Sequence, residues 1–219
     1  MKVGTDGVLL GAWVSLDKEP NSILDIGAGS GLIALQLAQR AIAETIDAIE
    51  LDENAYEQCV ENFETSVWGD RLFCYHASLQ EFVDEMDEEY DLIVSNPPFY
   101  SEVVTSGDMA RDIARQELSL PFDELINGVS KLLSKQGEFA TIVPHKEEQR
   151  FISLALEKDL HANQIMRVKG TTTSDIKRSL IQFSFENTIP KENELVIEIN
   201  RHEYTLDYQE LTKDFYLKM

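Results

Sequence analysis

Basic residues, cysteines and long apolar runs are all scarce in this 219-residue sequence. Lysine and arginine together number 19 against 40 aspartates and glutamates, and the formal charge of −21 argues against broad non-specific binding to nucleic acid or to an anionic membrane. No apolar stretch approaches the roughly 18 residues of a membrane-spanning helix. Residues 1–16 also lack a basic region followed by a cleavage site. We therefore expect a cytoplasmic protein that does not enter a membrane.

The sequence also offers little for metal or redox chemistry. Cys59 and Cys74 do not have the spacing of metal ligands, and each falls in a run that predicts a helix or a strand, so we interpret both as packed thiols. The histidines are scattered and accompany no carboxylate cluster at metal spacing. We therefore predict no metal site. The sequence leaves the oligomeric state open, with a monomer as the expectation.

Short β-rich runs alternate with stretches in which apolar residues recur three and four apart, which is typical of βαβ units on a parallel sheet. Alternating runs at 179–185 and 194–200 flank a turn-rich connector and predict an antiparallel hairpin. We predict one α/β domain over residues 1–219, with a mostly parallel seven-stranded sheet and a C-terminal hairpin and tail in residues 179–219. The other predicted strands are 22–26, 45–50, 71–76, 90–95 and 137–143, and the predicted helices are 31–40, 53–63 and 121–133.

The stretch ILDIGAGSGLIALQLA combines a strand, a glycine-rich turn and a helix. Gly27, Gly29 and Gly31 allow positive φ and close approach to a ligand, and the helix that follows directs free N–H groups at it. Dinucleotide sites favour G-x-G-x-x-G, whereas here Asp25 precedes three alternate glycines. An aspartate repels a phosphate but attracts a sulfonium and an α-ammonium group. The pattern therefore favours S-adenosylmethionine over NAD.

A second acid, Glu50, ends the next predicted strand. A carboxylate at this edge of the sheet can accept hydrogen bonds from both hydroxyls of a ribose, which nicotinamide cofactors and S-adenosylmethionine have in common. Glu50 therefore supports a nucleoside-containing cofactor, but it does not distinguish a nicotinamide cofactor from S-adenosylmethionine. Asp52 is predicted to be the N-cap of the helix that begins at Glu53.

The stretch DLIVSNPPFYS places two prolines between an amide and two aromatic rings, directly after a buried strand. The side-chain oxygen of Asn96 and the carbonyl of Pro97 can accept hydrogen bonds from a planar amine, which aims its nitrogen lone pair at an electrophilic methyl group. The two prolines, of which Pro98 is the second, restrict the geometry. Phe99 is predicted to stack on the planar group, and Tyr100 extends that surface. The sequence therefore predicts methyl transfer to an exocyclic or amide nitrogen.

These motifs resemble those of the class I S-adenosylmethionine-dependent N-methyltransferases. More specifically, four stretches resemble the bacterial tRNA adenine-N6 methyltransferases that modify adenine 37, beside the anticodon, of a valine tRNA. They are MKVGTDGVLLGAW (1–13), NPPFY (96–100), ARQELSLPFDELI (114–126) and TKDFYL (212–217). The similarity runs over nearly the whole chain. The stretches at the two ends of the chain are specific to this family, whereas the central motifs belong to the entire superfamily. The resemblance implies a Rossmann-like fold, S-adenosylmethionine as the cofactor and tRNA as the substrate.

The resemblance also implies roles by position. Residues 1–16 would cover the methionine part of the cofactor, the glycine turn with Asp25 would lie beneath it, and Glu50 would bind the ribose. Asn96 would meet both the cofactor and the target adenine. In the covering segment the implied contacts are Lys2, Thr5, Asp6 and Gly7. Many relatives have an aspartate after the third strand, near the adenine ring of the cofactor; here Ser78 occupies this region, and its hydroxyl or backbone N–H is expected to substitute.

Other substrates share the same chemistry. A protein-glutamine methyltransferase uses an Asn-Pro-Pro motif on a side-chain amide, but that resemblance predicts a helical domain ahead of the cofactor fold. Methylation of DNA adenine or of ribosomal guanine remains an alternative function. A base in a duplex has to be flipped out before it can react, whereas a base in an anticodon loop is already accessible. A non-catalytic binding module is the third alternative, for which we expect the loss of the asparagine or the glycines.

An acidic protein that binds RNA needs a local basic footprint. The stretch IMRVKGTTTSDIKR, residues 165–178, is the basic island of the sequence. We predict that it contacts tRNA, together with two arginines that follow the Asn-Pro-Pro loop. The predicted substrate contacts are Tyr100, Arg111, Arg115, Arg167, Lys169, Lys177 and Arg178, with His145, Lys146 and Arg150 as possible additions.

Overall fold

The computed structural model of the protein describes residues 3–97 and 120–216. In these ranges the helices are α1 (Thr5–Trp13), α2 (Leu32–Arg40), α3 (Glu53–Thr65), α4 (Leu79–Glu85), α5 (Phe122–Leu132), α6 (Glu148–Leu156) and α7 (Leu206–Thr212). The strands are β1 (Ser22–Ile26), β2 (Thr45–Glu50), β3 (Leu72–His76), β4 (Tyr90–Ser95), β5 (Leu133–Pro144), β6 (His161–Thr171), β7 (Ile176–Ser184), β8 (Lys191–Asn200) and β9 (Glu203–Tyr204).

In the described ranges the strands form one nine-stranded sheet in the order β3-β2-β1-β4-β5-β7-β6-β8-β9. The first five strands in this order are parallel, and β7 runs antiparallel to both of its neighbours. The chain moves outward from β1 through β2 to β3 and then returns to place β4 on the other side of β1. This reversal opens a crevice at the carboxyl ends of β1 and β4.

The parallel half of the sheet follows the sequence pattern closely. The predicted strands 22–26, 45–50 and 90–95 have the observed bounds, and the three predicted crossover helices are present as α2, α3 and α5. Asp52 caps α3 as predicted, because its side chain accepts a hydrogen bond from the Ala55 N–H at 2.9 Å. The α/β class and the Rossmann-like arrangement are confirmed.

The predicted C-terminal hairpin is wrong in its pairing. The run at 179–185 lies in β7, between β5 and β6, and the run at 194–200 lies in β8, which pairs in parallel with β6. Antiparallel hairpins are formed instead by β6 with β7, joined by the short turn after Thr171, and by β8 with the two-residue strand β9. Period-two alternation identifies a strand but contains no information about its partner. The sheet therefore has nine strands in the described residues, rather than the predicted seven.

Apolar side chains fill both faces of the sheet. One buried cluster joins α1, α2 and α3 to the sheet and includes Ile23 of β1. The other cluster joins α4, α5 and α6 and includes Leu24, the next residue of β1. Successive side chains of a strand point to opposite faces, so β1 is covered by helices on both sides. No helix in the described residues combines the length and the apolar character that crossing a membrane requires.

Candidate active site

A cavity of about 660 Å³ lies at the carboxyl edge of the parallel strands, where β1 and β4 diverge. Ile26 at the end of β1 is in register with Ser95 at the end of β4, and the Ser95 hydroxyl donates to the Ile26 carbonyl at 2.9 Å. The two loops that follow these strands, at Gly27 and at Asn96, therefore begin side by side. Cavities of this size are typical of sites for small molecules and cofactors.

The glycine-rich turn forms the floor of the cavity. Gly27, Gly29 and Gly31 have φ values of 72°, 59° and 76°, which an L side chain rarely adopts. A Cβ at Gly27 would meet nothing within 4 Å and would project into open space, since Gly27 lines the cavity. A Cβ at Gly31 would lie 2.8 Å from Sγ of Cys59. The first glycine therefore leaves room for a ligand, and the third lets the turn pack against α3.

Two backbone N–H groups hold the Glu50 carboxylate in place. Its Oε2 accepts from Gly29 at 2.7 Å, and its Oε1 accepts from Asp52 at 2.8 Å. Each carboxylate oxygen retains a second acceptor site. Glu50 lines the cavity at the end of β2, which is the position predicted for an acid that binds a ribose.

Asp25 occupies a different place from the one predicted. It is fully buried at 0% exposure, and it is not among the described residues that line the cavity. Its Oδ2 accepts from the Ala34 N–H at 3.2 Å, whereas its Oδ1 has no hydrogen-bond partner in the described residues. Burial raises the pKa of the Asp25 carboxyl to about 7, the Ala34 hydrogen bond opposes this, and the nearby Glu50 adds to it. The Asp25 side chain therefore lies behind the turn and holds the first part of α2, and its predicted contact with a cofactor stays a prediction.

Asp25 is expected to make the protein less stable as the pH rises from about 5 to about 7. The folded state retains the proton up to about pH 7, whereas the unfolded chain loses it near pH 3.9, so unfolding releases a proton in this window. The expected loss is about 2–3 kcal/mol, at roughly 1.4 kcal/mol per pH unit. Urea denaturation across this range should show a shallower decline for Asp25→Asn, which cannot ionise. Equal slopes for the two proteins would contradict the prediction.

Asn96 and Pro97 follow β4, beside the glycine turn that follows β1. Asn96 is half-buried, Pro97 is buried, and both line the cavity. A Cβ on Gly7 would lie 3.9 Å from Nδ2 of Asn96, so helix α1 passes beside the amide. Asn96 and Glu50 therefore line the same cavity.

Two of the predicted covering residues do not lie in the cavity. In the described part of this segment, Val3, Gly4 and Gly7 line the cavity. Thr5 is exposed, and Asp6 accepts a hydrogen bond from Nε of Arg178 at 2.8 Å in an ion pair. The covering helix thus contacts the cavity through a glycine backbone, because its polar residues point to other parts of the surface.

Ser78 lines the cavity, but its donors are already engaged. Its backbone N–H and its hydroxyl both donate to Oε2 of Glu81, at 2.9 and 2.7 Å, and its Oγ accepts from the Glu81 N–H. This arrangement is a capping box at the start of α4. The predicted contact of Ser78 with a cofactor therefore requires a donor that the capping box already uses.

Helix α5 forms a wall of the cavity that the sequence interpretation missed. Glu124, Asn127 and Gly128 line it, and Oδ1 of Asn127 accepts from Nζ of Lys158 at 3.0 Å. A Cβ on Gly128 would lie 2.6 Å from Cδ2 of Leu79, so this glycine allows α5 to approach α4 closely. The sequence did contain a signal for this contact, because a glycine among the apolar residues of a predicted helix often marks close packing against a neighbouring element.

The predicted basic footprint is largely paired with acids of the same chain. Arg167 donates to Glu148 and Glu192, each at 2.7 Å, and Lys169 lies 2.9 Å from Glu194. Glu148 is only 2% exposed, so removal of Arg167 would leave a buried carboxylate unpaired. Lys177, in contrast, is exposed and has no ion-pair partner among the described residues. Other predicted contacts lie outside the described residues, namely Lys2, Pro98, Phe99, Tyr100, Arg111 and Arg115.

Comparisons with known proteins agree with this geometry. The family model described as the methyltransferase small domain matches residues 8–173. The fold is similar to that of a predicted O-methyltransferase from Agrobacterium tumefaciens, with a TM-score of 0.73 at 18% identity over 95% of this chain and 96% of that chain. It is also similar to the N-methyltransferase NodS from Bradyrhizobium japonicum, with a TM-score of 0.55 at 17% identity over 80% of this chain and 90% of that chain. The protein is a methyltransferase with a Rossmann-like fold.

Proteins of similar sequence identify the family within the methyltransferases. A protein from Christiangramia forsetii is 59% identical over 100% of this chain and 92% of its own length. A protein from Bacteroides fragilis is 40% identical over 100% of this chain and 92% of its own length. Both are named tRNA1(Val) (adenine(37)-N6)-methyltransferase. The chain belongs to this family.

Proposed function

We propose that the protein transfers a methyl group from S-adenosylmethionine to N6 of adenine 37 in a valine tRNA. The observation that carries this proposal is a single cavity that has a ribose-type acid, Glu50, and the amide of Asn96 on its walls. The Glu50 carboxylate suits a nucleoside-containing donor, and the Asn96 amide suits an amine. The names of the relatives supply the substrate.

The residues present fit the donor. Glu50 is held in place by the N–H groups of Gly29 and Asp52, and its remaining acceptor sites suit two ribose hydroxyls. Gly27 leaves open space where any other residue would place a Cβ. When bound, S-adenosylmethionine supplies an electrophilic methyl group on a positively charged sulfur.

Asn96 and Pro97 would orient the acceptor amine. The Asn96 side-chain oxygen and the Pro97 carbonyl accept hydrogen bonds from the two N6–H groups, which reduces delocalisation of the nitrogen lone pair into the ring and directs it into the cavity. Held in this way, the amine would be positioned to accept the methyl group, and N6 would afterwards release one proton to solvent. A general base of special pKa is not required, since the proton leaves after the nitrogen has become cationic.

Lys177→Glu is expected to weaken tRNA binding about tenfold and to lower the slope of its salt dependence by about one. Lys177 is exposed beside Arg178, which pairs with Pro144 at the cavity edge of β5, so it can contact a phosphate near the target base. Arg178 is a poorer test, because its reversal also breaks the ion pair with Asp6 in α1. Filter binding at several salt concentrations measures the effect.

Lys135→Glu provides the matched control for this charge reversal. Lys135 is exposed near the start of β5, at the opposite edge of the sheet from the cavity. We expect its reversal to leave tRNA affinity and salt slope unchanged. Equal weakening by both variants would indicate a general charge effect and would count against a footprint at Lys177.

Incubation with labelled S-adenosylmethionine and separate pools of tRNA, ribosomal RNA, DNA and protein tests the proposed function. Nucleoside analysis should recover the label as N6-methyladenine from tRNA alone, and mapping should place it beside the anticodon of a valine tRNA. Label in guanine of ribosomal RNA, in DNA adenine or in protein glutamine would assign a different substrate. The absence of transfer, combined with the absence of cofactor binding, would favour a binding module.

A further inference from the structure

Helix α1 lies against helix α2 at the edge of the cavity. Six of its nine residues are buried, and Gly7 lines the cavity. A Cβ at Gly7 would lie 3.3 Å from Cδ2 of Leu32 and 3.9 Å from Nδ2 of Asn96. The placement of α1 therefore determines how much space remains beside the Asn96 amide.

A side chain from α2 caps the C-terminal end of α1. The last carbonyl groups of a helix have no partner within the helix. Nη1 of Arg40 donates to the Gly11 carbonyl at 2.6 Å, and Nη2 donates to the Val14 carbonyl at 3.0 Å. The guanidinium also meets the negative end of the α1 dipole. Burial lowers the pKa of Arg40 from its ordinary value, and the two carbonyls offset the loss of water around the cation.

Gln36, one turn earlier on α2, makes a second attachment. It is only 4% exposed, and its Nε2 donates to the Val8 carbonyl at 3.2 Å. A Cβ on Gly11 would lie 2.7 Å from Cδ of Gln36, so the two helices are too close for a side chain at that position. The contact between α1 and α2 is therefore specified by a glycine and by two directional polar side chains, rather than by apolar packing alone.

We propose that Arg40 and Gln36 are positioning residues of the methyl-transfer site. They hold α1 so that Gly7 stays beside Asn96 and the cavity keeps the shape that the cofactor needs. This inference rests on the proposed function, because it assigns the cavity to S-adenosylmethionine. Neither side chain is among the described residues that line the cavity, so both act through the helix.

Arg71 offers a matched control of the same chemistry. Its Nη1 donates to the carbonyls of Ala41 and Ala43 at 3.0 and 2.8 Å, and its Nη2 donates to the Ala38 carbonyl at 2.5 Å. Arg71 thus caps the same C-terminal end of α2 that carries Arg40, but among the described residues none of its hydrogen bonds reaches α1. Loss of this cap should reduce stability without moving α1.

The test compares Arg40→Met with Arg71→Met, each of which removes the guanidinium and keeps an apolar stem. Isothermal titration calorimetry with S-adenosylhomocysteine is expected to show about tenfold weaker binding for Arg40→Met and less than about twofold for Arg71→Met. Arg40→Lys should recover part of the affinity, since an ammonium group can reach a carbonyl but not in a fork. Gln36→Leu, which keeps the volume, is expected to weaken binding in the same direction.

Hydrogen exchange of the α1 amides provides a readout that does not depend on the cofactor. It should accelerate in Arg40→Met and Gln36→Leu but not in Arg71→Met. Equal exchange and equal affinity in the Arg40 and Arg71 variants would overturn the inference. Should Arg40→Met not fold, a folded Gln36→Leu protein with unchanged affinity and unchanged exchange of the α1 amides would overturn the inference. Wild-type protein that binds no S-adenosylhomocysteine would instead overturn the proposed function, whereas the exchange comparison would still report on α1.

Discussion

Asn96→Ala is expected to lower kcat for methyl transfer about 10³-fold, the size of effect found when a preorganised hydrogen-bonding group is removed from an active site. The variant loses one of the two acceptors that orient the target amine, while the Pro97 carbonyl remains. The glycine turn and Glu50 do not depend on the amide, so affinity for S-adenosylhomocysteine should change by less than about threefold. Single-turnover kinetics with tRNA, together with calorimetry, measure the two quantities separately.

Two variants make this prediction specific. Asn96→Asp keeps an acceptor oxygen and adds a charge, so its loss of activity should be smaller than that of Asn96→Ala. Asn200→Ala removes an exposed amide that bonds to Glu203, far along the chain from the cavity, and it should leave kcat unchanged. An Asn96→Ala enzyme with a near-normal kcat would remove Asn96 from the proposed mechanism.

The sequence predicted the parallel half of the fold because each of its strands is bounded by a helix or a turn with its own local signal. The bounds of β1, β2 and β4 were correct, and so was the N-cap at Asp52. The C-terminal half failed because its strands follow one another without crossover helices. Alternation there fixes which side chains share a face, but β8 pairs with β6 and not with β7, the strand that precedes it in the chain, and no local pattern specifies such a partner.

In the candidate site, too, local sequence signals predicted some features, whereas others depend on contacts between distant parts of the chain. Gly27, Glu50 and Asn96 line one cavity because each ends or directly follows a parallel strand, and the carboxyl ends of parallel strands meet at one edge. Asp25 and Ser78 also follow this logic in sequence, but their side chains are used by the fold, one beneath α2 and the other in a capping box. The pairing of Arg167 with Glu148 depends on α6 packing against β6, which composition does not reveal. Local sequence signals therefore predicted which residues line the cavity at this edge, whereas long-range pairing determines which polar residues are not already bonded to other parts of the protein.

Gly31→Ala is expected to destabilise the protein by about 4 kcal/mol, from backbone strain and overpacking together. Gly31 has a φ of 76°, and its Cβ position lies 2.8 Å from Sγ of Cys59 and 3.0 Å from Cζ of Phe63. Both side chains are buried at 0% and 2% exposure, so they have little room to move away from a methyl group. Urea denaturation gives the free energy of unfolding directly.

Gly27→Ala separates the two contributions and tests the cavity at the same time. Its φ of 72° gives a similar backbone strain, but nothing lies within 4 Å of its Cβ position, so the loss of stability should be only about 1 kcal/mol. The new methyl group projects into the cavity instead, and we expect at least about tenfold weaker binding of S-adenosylhomocysteine. The two alanines should thus have opposite profiles: one impairs folding more than binding, the other binding more than folding. Equal losses of stability in both variants would show that strain, rather than packing against Cys59 and Phe63, accounts for the third glycine.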